Sequence, residues 1–121
     1  IGAGLLPWLA VTFLKPRMGY DDTLDAFGVH GVGGIWGAIA TGLWATKAVN
    51  DGGANGLFYG NPKQLLIQLA ATGVTIVYAF VVSVILFKVV NVFSSLRVGA
   101  HEERVGLDLT EHKETGYTII D

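Results

Sequence analysis

The apolar positions fall in long unbroken blocks. From Ala26 to Thr46 there is no Asp, Glu, Lys or Arg, and from Gln64 to Phe87 there is none either, runs of 21 and 24 residues. About 18–20 such residues cross the hydrocarbon of a bilayer as a helix, and a buried core helix seldom runs so far without a charge. Both runs are read as transmembrane helices. A third block, "IGAGLLPWLAVTFL" from Ile1 to Leu14, meets Lys15 and Arg17. As a helix it reaches only about 21 Å, short of the ~30 Å core. Its positive end lies on the wrong side for a signal peptide. It reads as the end of a longer span, and the chain as the C-terminal part of a larger membrane protein.

The pattern divides the chain into a membrane part, residues 1–93, and a tail, residues 94–121. The partial span 1–14 is expected to kink near Pro7, where a helical hydrogen bond is lost. Lys15–Thr23 is expected to be a tight polar turn, and Leu24–Thr46 the first full span. Lys47–Pro62, rich in Gly and Asn, reads as an exposed loop. Lys63–Phe93 holds the second full span, and the charged segment from Ser94 to Asp121 cannot cross a membrane.

Composition agrees: 51% of residues are hydrophobic and only 15% charged, against the ~25% charged of an average soluble domain. The net charge of −2 offers no basic surface for nucleic acid. The absence of cysteine excludes disulfides and thiolate metal sites. Basic residues near the span ends orient the chain. Lys15 and Arg17 on the first turn, with Lys88, Arg97 and Arg104 on the tail side, outnumber Lys47 and Lys63 on the loop. The turn and the tail are therefore expected in the cytoplasm and the loop outside. Trp44 and Tyr59 are expected near the outer interface as aromatic anchors.

One ionisable residue breaks the first full span, His30. Counted as helix from Asp22, it lies about 12 Å along the axis, close to half the hydrocarbon thickness of about 15 Å. Ionisable residues at that depth face a protein interior or a cavity and tend to mark ion or proton pathways. Asp22 is placed to cap the helix, and Asp25 to add charge to its first turn. Asp25 is about 140° off the face of His30 on an α-helix, too far to orient it. Ala26, four residues before His30, shares its face and leaves room there. Gly33, Gly37 and Thr41 form one row of small residues, and Gly34, Ala38 and Gly42 a second, both suited to close helix packing. The plainer reading of His30 is a neutral imidazole bonded to a neighbouring helix; a haem ligand is a third possibility. In the second span Gln64, Gln68, Thr72, Thr75 and Ser83 read as interhelical hydrogen-bonding or interface positions, with Lys88 snorkelling at its end.

Two stretches resemble the ammonium transporter (Amt/Mep) family. "DDTLDAFGVHGVGGIWGAIATGLWA" is similar to the family's signature at its second pore histidine. "RVGAHEERVGLDLTEHKETGY" is similar to its cytoplasmic C-terminal region. The related Rh branch is a poorer match. The resemblance implies an all-α integral membrane fold, of which this chain is the C-terminal fragment of an eleven-span inverted-repeat bundle. It implies homotrimers, each subunit with its own narrow hydrophobic pore. His30 matches one of a twin-histidine pair that handles ammonia and its proton, the partner lying upstream with the family's other pore residues. The substrate implied is ammonium or ammonia, with methylammonium as analogue. No enzymatic activity, cofactor or metal is expected. The tail of family members packs on the cytoplasmic face, contacts the neighbouring subunit and, in prokaryotic relatives, meets PII-type signal proteins. Thr110 matches a position phosphorylated in some plant relatives; Gly106 is expected to supply a turn and Asp108 to cap the segment after it. Lys113 stands where many relatives have glycine. The other readings are an ammonium sensor of the same fold, and a membrane redox subunit with His30 on a haem. A haem would call for a second histidine in a span, whereas His101 and His112 lie in the tail.

Overall fold

The computed structural model describes residues 1–116, and among these the chain is helices and turns without a strand. It divides into two units, Ile1–Tyr78 and Ala79–Asp121, with the division inside its longest helix.

The first unit opens with α1 (Gly2–Leu9), which continues through a wide π turn at Ala10–Leu14 into α2 (Lys15–Met18). The helix therefore runs past Leu14, where a polar turn was expected to begin. Lys15 and Arg17 do not end it, because positive side chains suit the last turn of a helix. It stops at Gly19, whose φ of 63° is the left-handed conformation that glycine adopts most easily. The departure from α geometry also differs from the expected kink near Pro7. Pro7 sits within α1, and the irregular turn follows one turn later. Its cause is read in Pro16, whose ring presses on the carbonyl four residues back in a regular helix. The wider turn gives that carbonyl room.

The chain re-enters helix at Ala26, passes through a second π turn at Phe27–Gly31 and runs on as α3 (Val32–Trp44). The expected span at Leu24–Thr46 thus starts later and ends earlier. Asp22 to Asp25 lie outside the helix, so His30 is about 6 Å along the axis from the first helical residue rather than 12 Å from Asp22. The loop after α3 folds back on it. The Gly56 N–H donates to the Ala45 carbonyl at 2.7 Å, and the Lys47 N–H to Asn55 Oδ1 at 2.8 Å. A 3₁₀ turn at Leu57–Tyr59 precedes Gly60, and α4 (Pro62–Phe93) follows. Trp44 packs edge-on against Trp36 at 6.1 Å and tilted against Phe58 at 5.4 Å, a small aromatic cluster at that end.

Among the described residues, α4 is by itself the one helix long and apolar enough to cross a membrane. The α3 segment is shorter, but the helix is continuous from Ala26 through the π turn to Trp44. No residue of α4 is buried in this chain. In the second unit, α5 (Ala100–Val105) and α6 (Leu107–Thr110) are joined at Gly106. The Gly106 φ of 111° is one that L side chains rarely adopt. Lys113 takes a left-handed φ of 57°.

Candidate functional site

The helical runs Gly2–Met18 and Ala26–Trp44 form an antiparallel hairpin with a seam of small and ring side chains. The Trp36 indole lies over Gly2, and Pro7 faces Gly33 at 3.6 Å from where a Cβ would stand. Further along, a Cβ on Gly28 would meet Val11 Cγ2 at 2.6 Å. Lys15 closes the seam at the turn, its Nζ donating to Asp25 Oδ1 and to the Asp22 carbonyl, each at 2.5 Å. The hydrogen bond from Lys15 to the Asp25 carboxylate holds the ammonium's pKa above its usual value near 10.5. The pair's contribution is present below that value and lost as pH rises through the raised one.

The π turn sets the register of this seam. Gly28 and Gly33 are five residues apart, which on an α-helix leaves them about 140° out of line. A π turn absorbs one extra residue, about 100°. It therefore brings both glycines back to within about 40° of one face. The bond that defines it runs from the Val32 N–H to the Phe27 carbonyl, five residues back. The facing turn has the same form, with the Lys15 N–H donating to the Ala10 carbonyl. Phe27 lies over Gly31, where a Cβ would stand 2.9 Å from its ring, and packs edge-on against Tyr20 at 5.6 Å.

His30 belongs to this turn. Gly28 is buried on the seam while His30 is exposed, as expected for residues two apart on a helix, about 200° in α form. The imidazole makes no hydrogen bond to another described residue. Asp22 reaches past the non-helical stretch, its Oδ1 accepting from the Ala26 N–H at 2.8 Å and its Oδ2 from the Phe27 N–H at 2.9 Å. Asp25 is not in the first helical turn but just before it, at a left-handed φ of 55°, its carboxylate on Lys15. Ala26 is exposed like His30.

The glycine rows divide differently from expectation. Gly42 sits against Leu65 of α4, a Cβ there standing 2.9 Å from the Leu65 Cα. Gly33 faces Pro7, whereas Gly34 and Gly37 have nothing within 4 Å where a Cβ would stand. Neither row is a continuous contact stripe within the described residues. The Thr41 hydroxyl donates to the Gly37 carbonyl at 2.9 Å in its own helix. Several close-packed glycines escaped the spacing argument, Gly2 under Trp36 and Gly31 under Phe27 among them. Gly28 could be found only by recognising the π turn, and Gly56, whose Cβ would collide with carbonyls of Gly42 and Leu43, only from the returning loop.

In the tail, Thr110 Oγ1 donates to the Gly106 carbonyl at 3.0 Å. Asp108 does not cap a following segment. It lies in the first turn of α6, and its Oδ2 accepts from the Gly116 N–H at 2.8 Å, folding the chain back. That bond, helped by one from Leu109, holds its pKa below the usual carboxylate value near 3.8. Tyr117, the last residue of the tail motif, lies outside the described residues.

Residues 1–117 match the model of the Ammonium Transporter Family. The chain is 50% identical to the ammonium transporter of Bacillus subtilis over 117 residues, which is 97% of this chain and 29% of that protein. It is 46% identical to ammonium transporter Amt1 of Archaeoglobus fulgidus over 96% of this chain and 29% of the relative. With the ammonium transporter of Aquifex aeolicus it shares 43% identity over 97% of this chain and 27% of the relative. The chain spans between a quarter and a third of the length of these relatives. The two stretches that resembled the family thus lie within one nearly chain-long match, and the chain belongs to the ammonium transporter family.

Proposed function

We propose that this chain is the C-terminal portion of a protein that carries ammonium or ammonia across a membrane. His30 is one of two imidazoles that handle ammonia and its proton in a narrow apolar pore. The observation that carries the reading is the exposed imidazole on the far side of its helix from the hairpin seam, in a chain whose relatives are named ammonium transporters.

The chemistry answers a selectivity problem. Ammonium resembles potassium in size and charge, and dragging a bare cation through an apolar passage is prohibitively unfavourable. Ammonium can give up a proton and cross as ammonia; potassium cannot. A neutral imidazole donates from one nitrogen and accepts at the other, so a facing pair guides ammonia and relays a proton. Apolar surroundings favour the neutral ring.

In this reading the whole protein is an eleven-span bundle of inverted repeats that assembles as a homotrimer, with the second histidine in the other repeat. The helix end at Lys15 and Arg17 and the tail after α4 face the cytoplasm. The tail is the surface on which a PII-type signal protein would dock. The test is His30→Ala in the full-length protein, reconstituted in vesicles. Methylammonium uptake that discriminates against potassium is expected to disappear. Unchanged flux and selectivity would remove His30 from the pathway.

A further inference from the structure

We infer that Val11 and Gly28 are positioning residues for His30: the two π turns seat against each other at this pair, and the depth of that seat sets where the imidazole stands. The inference rests on the role proposed for His30 and adds the element that holds it.

The seat has no slack. A Cβ at Gly28 would stand 2.6 Å from Val11 Cγ2, 3.6 Å from the Val11 backbone nitrogen and 3.7 Å from its Cα. Ordinary contact begins about 1 Å beyond the first of these distances. Val11 cannot swing clear, because a β-branched side chain on a helix has one strongly preferred rotamer. The two backbone atoms stand at ordinary contact distance, so the γ-methyl is the point of conflict. A methyl group at Gly28 therefore moves the turn rather than the valine.

The direction of that movement matters. Gly28 lies on the seam and His30 close to diametrically opposite, so lifting the turn off its seat advances the imidazole by a similar distance into the space it faces. The neighbouring fixed points resist a compensating slide. Asp22 holds the Ala26 and Phe27 N–H groups on one side, and Pro7 faces Gly33 on the other. A shift of about 1 Å in a positioned group is enough to cost about a hundredfold in a geometry-dependent step.

The experiment is a size exchange in the full-length protein. Gly28→Ala, Val11→Ala and the double variant are reconstituted at equal amounts, with His30→Ala alongside. Gly28→Ala is expected to lower discriminating methylammonium uptake at least tenfold, Val11→Ala to lower it to a smaller extent by loosening the seat, and the double variant to recover most of the Gly28→Ala loss. With ¹⁵N-labelled histidine, the His30 resonances are expected to move in Gly28→Ala and to return in the double variant. Normal uptake in Gly28→Ala, or a loss that Val11→Ala does not repair, overturns the assignment of these two residues. If His30→Ala itself keeps normal selective uptake, the pore reading fails instead, and the labelled resonances still report whether the seat positions the ring. A Gly28→Ala protein that does not fold is replaced by Val11→Ile and Val11→Phe, which enlarge the other side of the same contact and leave Gly28 without a Cβ. Undisturbed resonances and uptake in both would equally overturn it.

Discussion

The hairpin built from residues 2–44 and the helix α4 solve different problems with the same secondary structure. The hairpin is irregular: two of its turns are π, and glycine or proline stands at several of its close approaches. Its tightest contacts are side chains against bare backbone. By contrast, α4 runs from Pro62 to Phe93 without interruption and carries large apolar side chains around its circumference, none of them buried in this chain. A helix apolar on all sides suits lipid or the inside of a larger bundle. One whose backbone is approached closely is specified residue by residue. The difference teaches that hydrophobicity suffices to place a helix in a membrane, whereas placing one imidazole takes shape.

That contrast can be broken at its largest point by putting charge into α4. Val77→Arg, near the middle of the helix, is expected to disfavour insertion by about 2.5–3.5 kcal/mol. A membrane-insertion assay comparing the α4 segment with and without the substitution reads this directly, and failure of the unsubstituted segment to insert would argue against α4 as a span. The next effect separates packed from open glycines. Gly42→Ala places a Cβ against the Leu65 backbone and is expected to destabilise the full-length protein by about 1–3 kcal/mol in thermal unfolding. Gly37→Ala, where no neighbour is within 4 Å, is expected to be stabilising by about 0.4–1 kcal/mol. Destabilisation at Gly37 as large as at Gly42 would reveal a further segment of the protein on that face. The smallest effect lies in the tail. Because the folded state lowers the Asp108 pKa, its tie to the Gly116 N–H contributes fully above the ordinary carboxylate range. It weakens as pH falls through the lowered value. Amide exchange at Gly116 is expected to lose protection on acidification, and Asp108→Asn to reduce that pH response.

The long elements were legible in the sequence because charge-free runs carry their own length. The start and end of α4 differ little from the expected span. The cap by Asp22 could be read as well, since an acidic residue ahead of an apolar run has few other uses. What could not be read was the register within the histidine helix. Spacing arguments assume 3.6 residues per turn, and the π turn at Phe27–Gly31 adds a residue that no pattern of hydrophobicity announces. The glycine rows beyond it lie within the regular α3 and keep their own spacing; what the π turn changes is their face relative to Gly28 and His30. The partner of Asp25 was missed for a related reason. Lys15 looked like the polar end of a span, and only the antiparallel return of the chain brings the two together.

The extra residue in each π turn also limits how this segment can change in length. Deleting one residue between Phe27 and Gly31 would leave an ordinary α-helix with good hydrogen bonds. It would also rotate everything beyond it by about 100°. Gly33 would leave Pro7, Trp36 would leave Gly2, and Gly42 would turn away from Leu65. An insertion would do the same in the other sense. Substitutions here can be tested one side chain at a time, but a single-residue insertion or deletion is a change to every contact downstream. The spacing between "FGVHG" and the glycines after it is thus as much a part of the histidine's setting as the residues themselves.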